Sequence, residues 1–374
     1  MASTSKVLIV GGGIGGLCLA IALRNRGFAV DVIEIKKVWT VYGVGIIQQA
    51  NVVRAMAQLG IVDRYLSAAF PFNFVGIYQP SGDLIAKLPS SQLAGEQYPP
   101  LLGVSRLALH EVLTSVTLEK GANVRLGLTV DRLDQHPTSV EVQFTDGTSG
   151  RYDLVVGADG LFSLIRTLVF PHAPKPRFTG QSVWRHTFPR RPEIDHLAAH
   201  SGRHSSAGLV PLAHNLMYMY VTSIEPGNPY MEPSQLHTLM KSRMEGFGGL
   251  IGELKAQIDD PAKVVYKPME VVLVQPPWYS GRVALLGDAA HATTPHLGQG
   301  AGMAIEDAVV LSEELCSGDS IEKQLGRYME RRYDRCKFIV ESSELIGRFQ
   351  MNEVEGVDEK SMVEEMFRVT AQPI

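Results

Sequence analysis

The sequence predicts a Rossmann-like α/β protein whose nucleotide-binding domain is interrupted by an inserted, mostly β domain and closed by C-terminal helices. Three observations predict it. A strand, a glycine-rich turn, a helix and a second strand open the chain. Two later apolar strands each end in a turn containing Gly and Asp. Between them, from about Val183 to Val274, the pattern changes to separated strands.

Taken in order, Lys6 to Val10 is an apolar, β-branched run ending in glycines. Ile14, Leu17, Cys18, Ile21 and Ala22 follow at helical spacing, and Ala29 to Ile35 reads as the next strand, completing a βαβ unit. Asn73 to Tyr78 and Asp83 to Leu88 flank the turn-like Pro80-Ser81-Gly82 and predict a hairpin. Ser105 can cap a helix that carries Leu109, Val112, Leu113 and Val116 on one face. Val140 to Phe144 and Tyr152 to Val156, joined across Asp146-Gly147, predict a second hairpin that runs into Gly157-Ala158-Asp159-Gly160. Within the insertion, Gly208 to Leu212, Leu216 to Ser223 and Val264 to Val274 read as strands, with a helical stretch around Pro233 to Ile258. Val283 to Leu286 returns to a buried strand, and the chain from about Ser320 is polar amphipathic helix. The nucleotide domain is thus expected in three pieces, 1–72, 105–180 and 277–374, with 73–104 and 181–276 forming the second domain.

Composition narrows the function. Of 374 residues, 45% are hydrophobic and 20% charged, which is ordinary for a globular chain with ample core. A net charge of −4 with interspersed signs offers no basic stripe for a nucleic-acid backbone. No apolar run reaches the roughly 18 residues of a membrane span, and the N-terminus lacks the features of a signal peptide. Cys18, Cys316 and Cys336 show neither metal-ligand spacing nor a CxxC pair, so reduced thiols, no metal and a cytoplasmic location are expected.

Gly11-Gly12-Gly13-Ile14-Gly15-Gly16 satisfies G-x-G-x-x-G with a strand before it, a helix after it and Glu34 at the end of the following strand. Gly11 serves the tight turn, Gly13 lets backbone approach a pyrophosphate, and Gly16 permits close helix packing. The helix opening at Ile14 would present its N-terminus to the negative charge. Glu34 can accept both ribose hydroxyls and would repel a 2′-phosphate. In this context the string reads as a dinucleotide site.

Asp159-Gly160 and Gly287-Asp288-Ala289-Ala290-His291 each follow an apolar strand and place a carboxylate at a strand's C-terminal edge, where open α/β sheets bind ligands. With these motifs, with Ser163 and Arg166 after the first and Pro295 and Gly298-Gln299-Gly300 after the second, nearly the whole chain resembles the class A flavoprotein aromatic hydroxylases. That group includes para-hydroxybenzoate, salicylate, 6-hydroxynicotinate and urate hydroxylases. The resemblance implies a glutathione-reductase-type FAD-binding domain. Asp288 would bind the ribityl chain, Asp159 and its turn would serve FAD and the reductant, and Arg106 would reach the ribityl or pyrophosphate. Pro295, Gly298, Gly300, Ala301 and Gly302 would form the loop and helix start aimed at the flavin pyrimidine ring. The chain departs from the family in having Ile35 directly after the ribose acid, where many members have arginine, and Gly302 where many have asparagine.

The implied chemistry is reduction of FAD by NADH or NADPH, capture of dioxygen as a flavin hydroperoxide, and oxygen transfer to a small aromatic or heteroaromatic ring. His296, in the loop beside the flavin, is the first candidate for handling a proton. The other reading of it is a solvent-exposed loop histidine. His214 and Tyr218 are spaced like the histidine and tyrosine pair of 6-hydroxynicotinate hydroxylases, and four apart on a strand they would share a face; otherwise His214 belongs to the preceding turn and Tyr218 to the core. Gln48, Trp184 and His291 are lesser candidates, and Arg185 or Arg203 would hold a carboxylate. A homodimer is open. The rival functions are a flavin oxidase or dehydrogenase on the same fold and a noncatalytic FAD-binding protein.

Overall fold

A computed structural model describes residues 5–40, 44–202 and 205–374. Six strands form the central sheet, in the order Tyr279–Ser280, Val283–Leu285, Leu154–Gly157, Lys6–Val10, Ala29–Glu34 and Asn123–Leu126. The strands from Val283–Leu285 to Asn123–Leu126 run parallel, and Ile9 lies between Val156 and Val32 in register. Val7 to Val10 are wholly buried, which is why the first strand is a continuous apolar run and not an alternating one. The helix Ile14–Asn25 packs between the helices Gly300–Glu314 and Arg106–Glu119, so residues from three distant stretches share one core.

The segment read as one strand from Tyr152 to Val156 is two. Ser149–Tyr152 closes a three-stranded meander with Val140–Phe144 and Val130–Gln135, and Leu154–Gly157 belongs to the parallel sheet. Asp153 is the corner. Its carboxylate accepts from the Lys6 amide at 2.7 Å and its own amide donates to the Lys6 carbonyl at 2.8 Å, which pins the chain where it changes sheets.

The inserted domain is a seven-stranded sheet, ordered Val265–Val271, Arg177–Pro189, Leu216–Ile224, Ser206–Leu212, Leu197–Ser201, Phe74–Tyr78 and Leu84–Pro89. Leu197–Ser201 was not expected as a strand; its Leu-Ala-Ala-His-Ser lacks the β-branched residues that mark one, and pairing with Phe74–Tyr78 and Ser206–Leu212 overrides that preference. The two faces of the sheet differ. Trp184, Phe188, Met217, Met219 and Val221 pack under the helices Leu236–Arg243 and Gly249–Lys255. Val75, Leu197, Val210, Leu212 and Tyr218 line the other face, together with Phe367 from the C-terminal helix.

A third sheet, Gly45–Gln49, Leu101–Ser105 and Ala69–Phe72, joins the two domains. The 30-residue helix Ile321–Gln350 and the helix Glu359–Ala371 finish the chain. Three arginines hold its end: Arg54 donates to the carbonyls of Thr370, Ala371 and Gln372, Arg335 to those of Gln372 and Pro373, and Arg331 to that of Ile374. Among the described residues no helix is long and apolar enough to cross a membrane.

Candidate active site

The first turn leaves the central strand at Gly11, whose φ of 112° lies where L side chains rarely go, and a Cβ on Gly16 would collide with the Gly11 carbonyl oxygen. At Gly13, by contrast, an added Cβ would meet nothing within 4 Å, so the backbone there faces open space. Glu34 reaches this turn. Its carboxylate accepts from the amides of Gly12 and Lys36, each at 3.0 Å.

Asp288 begins the short helix Asp288–His291 at the end of the strand Val283–Leu285. It is accessible to solvent yet ringed by protein, and the crowding raises its pKa while His291 and Arg106 pull it down. Arg106 opens the helix capped by Ser105, whose hydroxyl accepts from the Ala108 amide at 3.0 Å. Its guanidinium stands near Asp288 and Tyr218, and enclosure lowers its pKa. Neither the Asp288 carboxylate nor the Arg106 guanidinium has a hydrogen bond or ion pair with any described residue.

A buried polar network holds this strand end in place. Asp307, on the helix Gly300–Glu314, accepts from the Gly287 amide at 3.0 Å, from His291 Nε2 at 2.6 Å and from Arg332 Nε at 2.8 Å. Burial opposes its ionisation, but His291 and Arg332 overcome it and hold Asp307 at about 2. Arg332 also pairs with Glu306 at 2.8 Å. Asn51 bonds Glu306 and Gln299, and Gln299 bonds Gln49, whose amide reaches the Leu297 carbonyl at 2.9 Å. The loop before the helix is thereby tied to the third sheet. His291, Asp307 and Cys336 place potential ligand atoms within 4.8 Å of one another, but the Arg332 guanidinium on the same Asp307 already supplies the cation.

Opposite Arg106, the inner face of the seven-stranded sheet presents Tyr218, fully buried and pushed up to about 12 by that burial, against the pull of Arg185 and Arg106. Arg185 is half-buried; enclosure and the neighbouring Arg106 lower it to about 10.

Over residues 4–343 the chain matches the FAD binding domain family. It belongs to that family. It is 32% identical to the aurachin C monooxygenase/isomerase of Stigmatella aurantiaca, over 91% of this chain and 88% of that protein. It is 31% identical to the 2-heptyl-3-hydroxy-4(1H)-quinolone synthase of Pseudomonas aeruginosa, again over 91% and 88%. The crystal structure of Klebsiella pneumoniae HpxO complexed with FAD and uric acid superposes with a TM-score of 0.83 at 27% identity, covering 99% of this chain and 94% of that one. The chain is an FAD-dependent monooxygenase, and the class A resemblance read from its motifs holds.

The residues of this flavoprotein fit the cofactor. Open space at Gly13 admits a pyrophosphate, Glu34 stands where the ribose hydroxyls would come, and Arg106 and Asp288, near each other and without a hydrogen bond to any described residue, remain for the cofactor. Gly298 ends the short turn Pro295–Leu297 in the left-handed region, and the helix begins at Gly300, with Ala301 and Gly302 in its first turn. A Cβ on Gly302 would come within 2.7 Å of Gln299 Oε1 and 2.9 Å of Val52, a reason for the smallest residue there.

Other candidates lie elsewhere than expected. The Asp159 carboxylate caps the helix Leu164–Val169, accepting from Ser163 Oγ at 2.5 Å and the Ile165 amide at 3.0 Å. Arg166 ties the two Asp-containing turns together, donating to the carbonyls of Leu161 and Ala289. His214 does not share a strand face with Tyr218. It sits exposed in the hairpin turn with φ of 57°, so the strand begins only after it, at Leu216. Gln48 points into the core, accepting from the Tyr65 hydroxyl; its neighbour Gln49 is the one that reaches the loop. Trp184 is packed on the helix-covered face, its indole bonded to Ser223. Arg203 lies outside the described residues.

His296 is not a solvent-exposed loop residue at its ring. Nδ1 lies 2.8 Å from Thr294 Oγ1, while Nε2 is sealed from solvent and makes no well-aligned hydrogen bond among the described residues. The ring lies against Gly347 with the Gln350 amide close by, and burial lowers it to about 4.

Proposed function

We propose that this flavoprotein hydroxylates a small aromatic or heteroaromatic ring, drawing electrons from NADH or NADPH and one oxygen atom from dioxygen. The observation that carries the reading is the position of Tyr218: it comes from the inserted sheet, yet its ring lies against Gly45, which pairs with Ser105, the cap of the helix that Arg106 opens. Bound FAD supplies the redox chemistry, accepting hydride and activating dioxygen.

The chain's own residues do the rest. Tyr218, kept neutral at physiological pH, is a hydrogen-bond donor for a ring oxygen and not a base. His296, likewise neutral, is proposed as a substrate-side hydrogen-bonding group for the ring hydroxyl, with the Gln350 amide close to it. The Val210, Leu212 and Phe367 side chains line the same face and exclude water from it. The quinolone in the name of one relative and the uric acid in one matching structure support a ring substrate. Reduced thiols, with Cys336 buried beside Asp307, support a cytoplasmic enzyme.

The test is a screen of hydroxylated aromatic and N-heteroaromatic compounds for faster NADH or NADPH oxidation by the FAD-loaded protein, with mass spectrometry of the products. A coupled gain of one oxygen atom is expected. Oxidation that yields only hydrogen peroxide with every ring would favour the oxidase reading, and no nicotinamide oxidation at all would favour a noncatalytic flavin binder.

A further inference from the structure

Resting on that reading of the inner face as the substrate's seat, we infer that it recognises its ligand at two points: an anionic oxygen at Arg185 and an N–H or O–H donor at Glu359, with Tyr220 between them. Strand register sets the order. Arg185 lies opposite Tyr220, and Tyr220 lies opposite Gly208 on its other side. All three share the face of Tyr218, since residues two apart on a strand point the same way. A Cβ on Gly208 would collide with the Tyr220 ring and lie 2.6 Å from its hydroxyl, so that ring lies flat across Gly208 with its hydroxyl over the next strand.

Two residues before Gly208, on the same face, Ser206 Oγ accepts from Gln350 Nε2 at 3.0 Å, and the same amide donates to Glu359 Oε1 at 3.3 Å. Gln181 holds the other side of that amide at 3.2 Å. The C-terminal helix thereby delivers a carboxyl group to the Ser206 end of the sheet, beside Tyr220. Arg185, Tyr220 and Glu359 form a row across the strands.

The two ends of the row are chemically opposite and do not cancel. Arg185 has no hydrogen bond or ion pair with any described residue, although it is half-buried and faces a second cation, Arg106. An enclosed guanidinium without a partner is unfavourable until an anion meets it, and a planar carboxylate matches its paired N–H groups. Among the described residues Glu359 has only the Gln350 amide, which engages one of its oxygens, and burial raises its pKa; as a carboxylate it accepts from a donor on the ligand. The ligand class that satisfies both is a ring bearing a carboxylate or ring oxyanion on one side and an N–H or O–H on the other, such as a hydroxylated N-heteroaromatic acid in its lactam form.

Titration of the FAD-loaded protein, followed by perturbation of the flavin absorbance without any reductant, tests this. The probes are matched sets on pyridine and quinoline rings: the hydroxy acid, for instance 6-hydroxynicotinate, its carboxamide, and its N-methyl lactam. The native protein is expected to prefer acid over amide and N–H over N-methyl. Arg185→Gln should weaken the acid by about tenfold or more, the scale of one charge-assisted hydrogen bond, and erase the acid-over-amide preference. Arg185→Lys should restore part of it, which a merely structural role would not do. Glu359→Gln should erase the N–H over N-methyl preference and leave the other intact. Either preference surviving its variant, or no acid binding at millimolar concentration, overturns the inference. Preferences that vanish as expected in a protein that forms no hydroxylated product would instead sink the proposed function and leave the recognition site standing.

Discussion

Asp307 shows how one carboxylate sets the position of another. By bonding the Gly287 amide, His291 and Arg332 at once, it fixes the turn from which Asp288 faces the cleft. Replacing it with Asn leaves the buried Arg332 and His291 cations short of their anion, and breaking such a pair costs about 3–5 kcal/mol. Asp307→Asn should therefore unfold at markedly lower urea concentration and purify with less FAD. His296 gives a pH signature instead. Its pKa falls from 6.5 to about 4 on folding, so between those values the unfolded chain binds the proton and the folded one does not. Stability is full above pH 6.5 and falls as pH drops through that window, by about 1.4 kcal/mol per pH unit from this group. His296→Asn should flatten the difference in urea stability between pH 6.5 and 4.5, and should slow hydroxylation while the protein stays yellow. A colourless variant would contradict the assignment of His296 to the substrate side. Tyr218 was reached in the sequence through a strand pairing with His214 that the structure does not keep, because the hairpin turn takes His214 and only Tyr218 lies on the sheet. Glu359 and Arg185 were not legible as a pair, since they lie 174 positions apart and only sheet register and a C-terminal helix bring them to one face.

At the scale of elements, the glycine turn, both strand-end Asp motifs and the Ser105 cap were all visible, since each rests on local rules for turns and helix ends. Ser105→Ala removes the hydroxyl that accepts from Ala108 and should cost about 1 kcal/mol. Because Arg106 is the first residue of the helix so capped, thermal melts of the apo and FAD-loaded forms should show the larger loss in the loaded form. The misread elements have non-local causes. Ser149–Tyr152 and Leu154–Gly157 are continuous in hydropathy, and only Lys6, some 147 residues away, marks the corner at Asp153. Leu197–Ser201 is a strand because of its neighbours' edges and not its own side chains. The Asp159 carboxylate has a local task that its motif did not announce, since it accepts from Ser163 and Ile165 at a helix start.

Across the whole molecule, distant stretches of the chain are held together by residues that no local pattern announces. Arg54, on the helix Ala50–Gln58, reaches the last turn of the C-terminal helix and is flanked by Glu306, 3.7 Å away. Arg54→Ala should release that helix end, seen as faster hydrogen exchange from Glu359 to Ala371 and earlier proteolytic clipping there, with a modest loss of global stability of about 1–3 kcal/mol. Unchanged exchange in that helix would show the remaining arginines to be sufficient. The interleaving also has a consequence for synthesis. The strand Val283–Leu285 and the helix Gly300–Glu314 leave the ribosome long after the strand Lys6–Val10 that they complete. A nascent chain paused within the inserted sheet therefore exposes an unfinished parallel sheet, and flavin can be captured only once Val283–Leu285 and Gly300–Glu314 have emerged.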